Sequence, residues 1–313
     1  MGWKDDIATR IRGEVRWGVP LAPKTSVRVG GAAELFVRPA DLDDLLGLLR
    51  TARELEVPVH VLGGGANTIV GDGGLPGVTL KLPEERERAT DLGNRMLLEL
   101  SAGAPSARLT QLAREHGLVG VEWAAGIPGT VGGLTAMNAG TWAGEMKDRL
   151  TEALLVGADG AAWRPARDLA FAYRHAELGG RIVSRVRVEL EKGDPEALQR
   201  SASAQEKDLA RRRATQPLHL PNSGSVFRNP PGDHAGRLIE ACGLKGTAEG
   251  GAQVSPAHAN FIVNRGGASA RDVTTLMARA QHAVQERFRI LLAPEVRLVG
   301  LFTPPTEALG LKV

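Results

Sequence analysis

The sequence predicts a soluble α+β protein of three domains, and two observations lead to this class. Strand-like and helix-like segments follow each other irregularly along 313 residues, a length that allows two or three separate cores. Many of the 39 glycines collect in loops, several of them directly after strand-like segments. We expect domains at 1–83, 84–193 and 194–303, followed by a loose tail at 304–313.

The first elements are an amphipathic helix and a strand that ends in a glycine run. Asp41 precedes leucines repeated at helical spacing, which predicts an N-capped helix over 41–56. The apolar segment "VPVHVL" follows it and predicts a buried strand that leads into "GGGANT". Further strands are expected at "GVTLKL" and "MLLELSAG".

The middle of the chain combines a short helix with a hairpin. A helix is expected near 106–116, ended by Gly117 in a left-handed cap. The stretch "EALLVGADGAAWRP" predicts a hairpin with Asp159 and Gly160 at its turn. The stretch "RIVSRVRVEL" predicts one more strand.

The last part of the chain begins with a long helix. Asp194 followed by proline predicts its start, and it is expected to run to about Arg213. A short helix is expected in "DHAGRLIEACG", and Ser269 predicts the cap of another long helix. The stretch "PEVRLVGLF" predicts the final strand.

Composition excludes several classes of protein. A net charge of +3, from 39 basic and 36 acidic residues, does not indicate a nucleic-acid partner. One cysteine, Cys242, excludes an intrachain disulfide and a cysteine metal cluster, so we expect no metal and a reducing cytoplasm. The N-terminus does not resemble a signal peptide, and no run approaches the 18 apolar residues of a membrane span.

The loop "VLGGGANTIV" is the first candidate binding site. Consecutive glycines after a strand let several backbone N–H groups point into one concavity, which suits a diphosphate. It is not the G-x-G-x-x-G fingerprint, because position 68 is threonine, and a plain glycine turn is the alternative. A β-branched residue at Gly64 is expected to fill the ligand's space and to strain the backbone. The candidate residues are Gly63, Gly64, Gly65, Ala66, Asn67 and Thr68.

A second loop, "GIPGTVGGLTAMNAGTWAGE", spaces glycines so that backbone can lie against a flat or phosphorylated ligand. Two such loops in one chain imply a dinucleotide. Its candidate residues are Gly126, Gly129, Thr130, Gly132 and Gly133. The stretch "KTSVRVGGAAE" adds Thr25 and Arg28, although alone it would be interpreted as a strand end.

Eight stretches carry a family resemblance because of their order. They are "TSVRVGGAAE", "VLGGGANTIV", "GIPGTVGGLTAMNAGTWAGE", "YR", "QPLHLPNSGSVFRNP", "AGRLIEACGLKG", "GGAQVSPAHANFIVN" and "LLAPEVRLVG". The chain resembles the UDP-N-acetylenolpyruvoylglucosamine reductase family over about residues 18 to 302. The resemblance implies a two-subdomain FAD-binding module of the vanillyl-alcohol-oxidase type, followed by a C-terminal α+β substrate domain.

The resemblance also implies a reaction and its residues. The family passes hydride from NADPH through non-covalent FAD to UDP-N-acetylglucosamine enolpyruvate, which yields UDP-N-acetylmuramate for peptidoglycan. By motif, the proton donor falls on Ser225, and Arg174 and Glu295 fall on the other two catalytic positions. A cation at Arg174 and a proton held by Glu295 would stabilise the enol-like intermediate. Without the resemblance, Arg174 would be interpreted as a hairpin edge and Glu295 as an exposed strand start.

The substrate contacts are less well defined by the motifs. Asn229, Arg228 and Arg212, or Arg213 in place of Arg212, are the candidates for the substrate diphosphate. Thr215 stands where the family often has lysine before "QP", and His175 where it often has a small or acidic residue. Tyr173 is the only tyrosine, so the chain resembles the shorter type of the family, which lacks a tyrosine-bearing loop. We expect a monomer.

Two other functions stay open at this point. One is an FAD oxidase of the same fold with a covalent flavin, for which His60 is the nearest histidine to a glycine loop. The other is a catalytically silent nucleotide-sugar binding protein, which would have lost the acid and its partners. His258 in "SPAHANF" is interpreted as a hydrogen-bonded structural residue rather than a base.

Overall fold

The fold is described by a computed structural model for residues 2–312. Its helices are α1 Trp3–Ala8, α2 Leu42–Glu54, α3 Ser106–Glu115, α4 Val131–Ala136, α5 Pro195–Thr215, α6 Ala235–Ala241 and α7 Ala270–Phe288. Its strands are β1 Glu14–Pro20, β2 Ala32–Arg38, β3 Val59–Val61, β4 Thr68–Val70, β5 Leu75–Leu80, β6 Arg88–Asp91, β7 Arg95–Ser101, β8 Leu118–Val119, β9 Gly140–Thr141, β10 Gly144–Glu145, β11 Leu150–Gly157, β12 Gly160–Pro165, β13 Ile182–Lys192, β14 Asn222–Ser225, β15 Ala248–Glu249, β16 Ala252–Val254, β17 Phe261–Asn264 and β18 Arg297–Val299. Across these residues, no helix combines the length and the apolar character needed to span a bilayer.

The predicted helix ends are confirmed by their hydrogen bonds. The Asp41 carboxylate accepts from the N–H of Asp44 at 2.9 Å, and Ser269 Oγ accepts from the N–H of Asp272 at 3.0 Å. Gly117 has φ +63°, the left-handed conformation that ends α3. Local capping chemistry therefore determines where these helices begin and end.

Contacts divide the chain into two compact units. Unit 1 contains the residues up to Arg16, Phe36–Gly64 and Val78–Ala210, and unit 2 contains Trp17–Leu35, Gly65–Gly77 and the chain from Arg211 onward. The boundaries expected near Pro83 and Gly193 both fall inside unit 1, so contact density does not mark them. The three-part division stays a prediction.

Unit 1 is built around an antiparallel sheet of order β12-β11-β13-β7-β6, with β8 also paired to β13. A separate sheet of order β1-β2-β5-β3 contains the parallel pair β3 and β5. The strand β3 delivers the first glycine loop, and α4 starts within the second. The first glycine loop therefore follows a strand, whereas the second leads into a helix.

Unit 2 packs two helices on a sheet of order β14-β17-β16-β15. The buried face of α7 carries the predicted apolar residues, among them Val273, Leu276 and Val284, and it joins one core with α6 and β17. A parallel pair, β4 with β18, matches Thr68 to Arg297. The predicted catalytic residue Ser225 ends β14, and Glu295 lies two residues before β18. Both strands are paired within this unit.

Two predictions of local structure within the domains are wrong. The strand in "VPVHVL" exists, but Val61 is 42% exposed, so it is not the buried strand expected. The hairpin pairs Gly157 with Gly160, so Ala158 and Asp159 form the turn, one residue earlier than expected. The first error arises because an apolar run alone does not report how much of a strand is covered.

The predicted loose tail is also wrong for the residues described. Leu311 is 1% exposed and belongs to the unit 2 core. The N–H of Lys312 donates to Gln281 Oε1 at 2.8 Å, and Gln281 Nε2 donates to the Lys312 carbonyl at 2.8 Å. Val313, the last residue of that prediction, lies outside the described residues. One buried leucine and a glutamine on α7 hold the segment.

Candidate functional site

Gly63 and Gly64 lie where two glycine loops of unit 1 meet. A Cβ added to Gly64 would lie 2.6 Å from Gly129 Cα, and one added to Gly63 would lie 2.9 Å from Thr130 Oγ1. The two backbones therefore approach more closely than any side chain allows. The space beside Gly64 is filled by Gly129 rather than left for a ligand, which corrects the reason given from sequence.

The amides of this loop suit an anionic group. Within residues 2–312, the N–H groups of Gly63 and Gly64 donate no hydrogen bond. Lys81 Nζ donates to the Gly63 carbonyl at 2.5 Å, which places a cation at the loop. Free backbone donors beside a lysine form a donor set that fits a diphosphate. Sequence reasoning missed Lys81, which follows the strand β5 that pairs with β3.

The second loop is held by one side-chain cap and one backbone bond. Thr130 Oγ1 caps α4 by accepting from the Gly133 N–H at 3.3 Å, and the Gly132 N–H donates to the Ala102 carbonyl at 2.9 Å. A Cβ on Gly132 would lie 2.7 Å from Ala102 Cβ, so this glycine is needed for packing. Gly126 has φ +70° and is exposed. In this loop, the backbone that a ligand can contact is the exposed backbone at Gly126 and Gly133.

Gly65 belongs to unit 2 and is the residue of the glycine run with left-handed backbone. Its φ is +65°, and an added Cβ would lie 2.1 Å from the Lys24 carbonyl oxygen. The strained angle expected at Gly64 is thus found at Gly65 instead. The Gly65 carbonyl accepts from the Ser26 N–H at 3.0 Å, so the predicted Thr25 and Gly65 segments are directly joined.

Thr25 and Arg28 occupy a turn held from inside. Thr25 is buried, and its Oγ1 lies 3.1 Å from both the Ala22 and Val29 carbonyl oxygens. Arg28 is exposed with φ +56°, and Asn264 Nδ2 donates to its carbonyl at 3.3 Å. The threonine hydroxyl supports its own turn, and the arginine side chain is the exposed group.

Asn67 connects the first glycine loop to the predicted catalytic residue Glu295. Its Nδ2 donates to the Glu295 carbonyl at 3.0 Å, and its carbonyl accepts from the Arg297 N–H at 3.0 Å. Thr68, the next residue, is half-buried and starts the strand paired with Arg297. The backbone around Glu295 is therefore fixed by the loop itself.

Ser225 stands at an irregularity in a β-ladder. β14 pairs with β17 through Asn222 with Val263 and Ser225 with Phe261, so one extra residue is inserted between the two pairs. Gly224 supplies the left-handed angle, φ +76°, and its N–H donates to Asn222 Oδ1 at 2.9 Å. Such bulges redirect a side chain, and Ser225 is half-buried here.

Backbone bonds bring Ser225 and Glu295 onto neighbouring segments. The Glu295 N–H donates to the Val226 carbonyl at 2.9 Å, and the Arg228 N–H donates to the Ala293 carbonyl at 2.9 Å. Phe227 and Pro294 form the bridge in between. Glu295 is half-buried. Two segments far apart in sequence are thus joined by backbone bonds within unit 2.

Arg174 occupies a tight turn of unit 1. Ala172 and His175 exchange two backbone hydrogen bonds, and Arg174 takes the strained angle φ +56° between them. Its Nη2 donates to the Gly140 carbonyl at 3.0 Å, and its guanidinium lies 4.9 Å from the Tyr173 ring centroid. The turn expected as the structural alternative is present, and it presents a half-buried arginine.

A residue that sequence reasoning missed holds this turn. Asn138 is fully buried, and its Nδ2 donates to the Ala172 carbonyl at 3.1 Å. Its Oδ1 accepts from the Lys147 N–H at 3.0 Å. Asn138 lies within the quoted second glycine stretch, but nothing in the residue pattern distinguishes it from a surface asparagine.

The residues predicted to bind the substrate differ in their exposure and in their hydrogen-bond partners within the protein. Arg228 Nε is buried and has no hydrogen-bond partner within residues 2–312. Asn229 is exposed, and its Oδ1 accepts from the Ala235 N–H at 3.1 Å at the start of α6. Arg212 Nε donates to Gln216 Oε1 at 3.4 Å near the end of α5, where Arg213 is exposed.

His258 has the surroundings of a structural residue. Its Nδ1 accepts from the Asn260 N–H at 3.2 Å, and its ring packs edge-on against Phe261. Burial, together with the charge of Lys245, lowers the pKa of His258 below its ordinary value. The imidazole is therefore neutral at pH 7 and serves as an acceptor.

Comparison with known proteins identifies the family. The UDP-N-acetylenolpyruvoylglucosamine reductase of Anaeromyxobacter dehalogenans (strain 2CP-C) is 55% identical over 99% of this chain and 93% of its own. That of Myxococcus xanthus (strain DK1622) is 52% identical over 96% of this chain and 98% of its own. The chain belongs to the UDP-N-acetylenolpyruvoylglucosamine reductase family.

Family models and a solved structure agree with this membership. The model of the family's C-terminal domain matches residues 216–299, and an FAD-binding domain model matches 33–164. The crystal structure of UDP-N-acetylenolpyruvylglucosamine reductase from Thermus caldophilus has a TM-score of 0.76 at 34% identity, and covers 92% of this chain and 99% of that chain. The predicted fold class, an FAD-binding module with a C-terminal domain of this reductase family, is confirmed.

The ranges matched by the two family models divide the predicted catalytic residues from the predicted cofactor-binding loops. Ser225 and Glu295 lie in the C-terminal family domain, and both glycine loops lie in the FAD-binding range. Arg174 lies outside both ranges. The free N–H groups of Gly63 and Gly64, together with Lys81, therefore suit the diphosphate of FAD.

Proposed function

We propose that this chain reduces UDP-N-acetylglucosamine enolpyruvate to UDP-N-acetylmuramate with NADPH, through bound FAD, in the synthesis of peptidoglycan precursors. Membership of the reductase family supports the activity. The observation that carries the assignment of residues is the pairing of the Ser225 and Glu295 segments, joined by the 2.9 Å bond from the Glu295 N–H to the Val226 carbonyl.

The cofactor is held by backbone rather than by side chains in this proposal. Gly63 and Gly64 offer free N–H groups to the diphosphate, and Lys81 adds positive charge. Exposed backbone at Gly126 and Gly133 lets a flat group lie close. When bound, FAD supplies the hydride relay from NADPH to the enolpyruvyl methylene carbon.

Arg174 and Glu295 stabilise the charge that hydride addition creates. Addition at the methylene carbon leaves an electron pair spread over the α-carbon and the carboxylate of the substrate. The guanidinium of Arg174, presented by the hydrogen-bonded turn between Ala172 and His175, would hold that carboxylate. Glu295, if it carries a proton, donates a hydrogen bond to the same oxygens. Both groups favour the enol-like state over the ground state, which is the condition for faster chemistry.

Ser225 supplies the last proton. The α-carbon of the intermediate is strongly basic, so a hydroxyl of ordinary acidity suffices if it is held in place. The bulge at Gly224 and the bonded segment 226–228 hold this hydroxyl. Its proton goes to the α-carbon, and solvent later restores the hydroxyl.

The substrate diphosphate is assigned to Arg228, Asn229 and Arg212. Arg228 is the strongest of the three, because its buried Nε has no partner within the described chain and can donate to an anion. We also propose a monomer that works in the cytoplasm. One cysteine in 313 residues fits a reducing compartment.

The purified protein is expected to show the reaction in the flavin spectrum. After anaerobic reduction by NADPH, addition of UDP-N-acetylglucosamine enolpyruvate should restore the oxidised absorbance without oxygen. UDP-N-acetylglucosamine serves as the matched control, since it keeps the nucleotide sugar and lacks the enolpyruvyl group. Reoxidation by oxygen alone, with no response to the enolpyruvyl substrate, would indicate an oxidase instead.

Glu295→Gln is expected to slow reoxidation by about 10²-fold while reduction by NADPH stays within a few fold. Glutamine keeps the size and can donate a hydrogen bond, but it cannot share a proton with the intermediate. The backbone bonds of residue 295 to Val226 and Asn67 do not depend on the side chain, so the variant should keep them. Rapid-mixing spectra measure the two half-reactions separately. Equal slowing of both would point to a displaced cofactor.

A further inference from the structure

Asn260 is a buried residue whose side-chain amide bonds to the backbone of Phe227, as the backbone of a paired strand would. It is 2% exposed, and its Oδ1 accepts from the Phe227 N–H at 3.1 Å while its Nδ2 donates to the Phe227 carbonyl at 2.8 Å. Its own carbonyl accepts from the Val226 N–H at 2.9 Å. One residue therefore holds the two positions that directly follow Ser225.

These bonds continue the strand pairing where the regular ladder ends. The last paired residues of β14 and β17 are Ser225 and Phe261. Beyond them, the Asn260 amide supplies the donor and the acceptor that a paired strand residue would supply. Phe227 is fully buried, so its N–H and carbonyl would have no replacement partner in water if the amide were removed.

The same short segment is also bonded to the neighbourhood of Glu295. Val226 and Arg228 make backbone bonds to Glu295 and Ala293, whereas both backbone groups of Phe227 bond to Asn260. The position of Ser225 therefore depends on an asparagine whose buried side chain is bonded to the backbone of Phe227. This arrangement distinguishes Asn260 from the three residues assigned to the chemistry.

We propose that Asn260 is a positioning residue that sets the Ser225 hydroxyl for proton transfer, an inference that rests on the proposed role of Ser225. In that step the O–H bond of Ser225 breaks, and a C–H bond forms at the α-carbon from the electron pair left by hydride addition. Solvent then returns a proton to the serine oxygen. Asn260 takes no part in bond making and acts only through the backbone at 226–227.

The test is a double-mutant cycle on the reoxidation rate. Asn260→Ala is introduced into the parent and into Ser225→Ala, and reoxidation by UDP-N-acetylglucosamine enolpyruvate is followed anaerobically. We expect about a 10²-fold loss in the parent, the scale of a 1 Å misplacement, and less than about a twofold loss when serine is already absent. Reduction by NADPH should change little in either background.

Gln281→Ala is the matched control. Gln281 is also 2% exposed, and its side-chain amide also bonds to backbone, with Nε2 donating to the Leu292 and Lys312 carbonyls at 2.8 Å. It should lower the urea midpoint of unfolding by a similar amount and leave reoxidation within about twofold. This comparison separates the effect of lower stability on the reoxidation rate from the effect of a displaced Ser225 hydroxyl.

Two further readouts report on the segment around Ser225 itself. Amide hydrogen exchange of the FAD-loaded protein should rise more at 225–228 in Asn260→Ala than in Gln281→Ala, because only the first variant removes bonds to that segment. Product made by Asn260→Ala should contain both configurations at the α-carbon, as shown by NMR, because solvent competes with serine. If Asn260→Ala does not fold, Asn260→Asp keeps the volume and the acceptor for the Phe227 N–H, and the same cycle applies.

The outcomes separate this inference from the proposed function. Equal losses from Asn260→Ala with and without Ser225 would overturn the positioning role and leave Ser225 as the donor. A parent-like rate in Asn260→Ala would do the same. If Ser225→Ala itself reoxidises at the parent rate, the assigned donor is wrong and the inference falls with it.

Discussion

Ser225→Ala is expected to lower the rate of reoxidation by the enolpyruvyl substrate by 10²- to 10⁴-fold, the usual range for a lost general acid. The change removes one hydroxyl from a half-buried residue, and the ladder bonds of Ser225 to Phe261 are made by backbone. Folding, FAD content and reduction by NADPH should therefore stay close to the parent. Stopped-flow spectra of the two half-reactions provide the measurement.

Ser223→Ala is the control for this prediction, because it removes the same group two residues away. Ser223 is buried, and its Oγ has no hydrogen-bond partner within the described part of the chain. Removing an unsatisfied buried hydroxyl should leave stability equal or slightly higher and should not slow reoxidation. Cysteine at 225 should recover part of the rate, since a thiol also gives up a proton. If Ser225→Ala reoxidises normally with correctly protonated product, the serine is a turn residue.

Gly64→Val is expected to abolish FAD binding. Its Cβ would lie 2.6 Å from Gly129 Cα, and two further methyl groups would add to that overlap. Backbone atoms of Gly129 cannot rotate away as a side chain can, so the two loops must separate. Gly64→Ala introduces only the Cβ and should weaken FAD binding by about 10- to 100-fold, from an overpacking cost of about 1–3 kcal/mol.

Gly47→Ala is the matched glycine control for this prediction. Gly47 lies inside α2, an added Cβ meets nothing within 4 Å, and its backbone angle is not left-handed. Alanine should therefore preserve FAD content and favour the helix slightly. FAD content is measured as flavin released into the supernatant by acid, which also checks that the flavin is non-covalent. Normal FAD content in folded Gly64→Val would show that the glycine run is only a turn.

The sequence by itself determined the family, the fold class and the ends of most helices. These features depend on local chemistry: Asp41 and Ser269 cap the helices that follow them, and Gly117 ends another. The ordered motifs identify the family because each retains its residues and its place in the chain. The predicted catalytic residues come from that order, since nothing in the local pattern around Glu295 or Arg174 marks them.

Only the tertiary structure decided how those residues are held. Asn67, Asn138 and Asn260 each bond to backbone far away in sequence, and no pattern in the sequence indicates those partners. The glycine at 64 is required by Gly129, not by a ligand, and the residue with left-handed backbone is Gly65. A buried amide satisfies the backbone groups that the fold brings to it, and periodicity carries no information about which groups those are. For that reason the sequence indicates the chemistry, whereas the packing of distant segments sets its geometry.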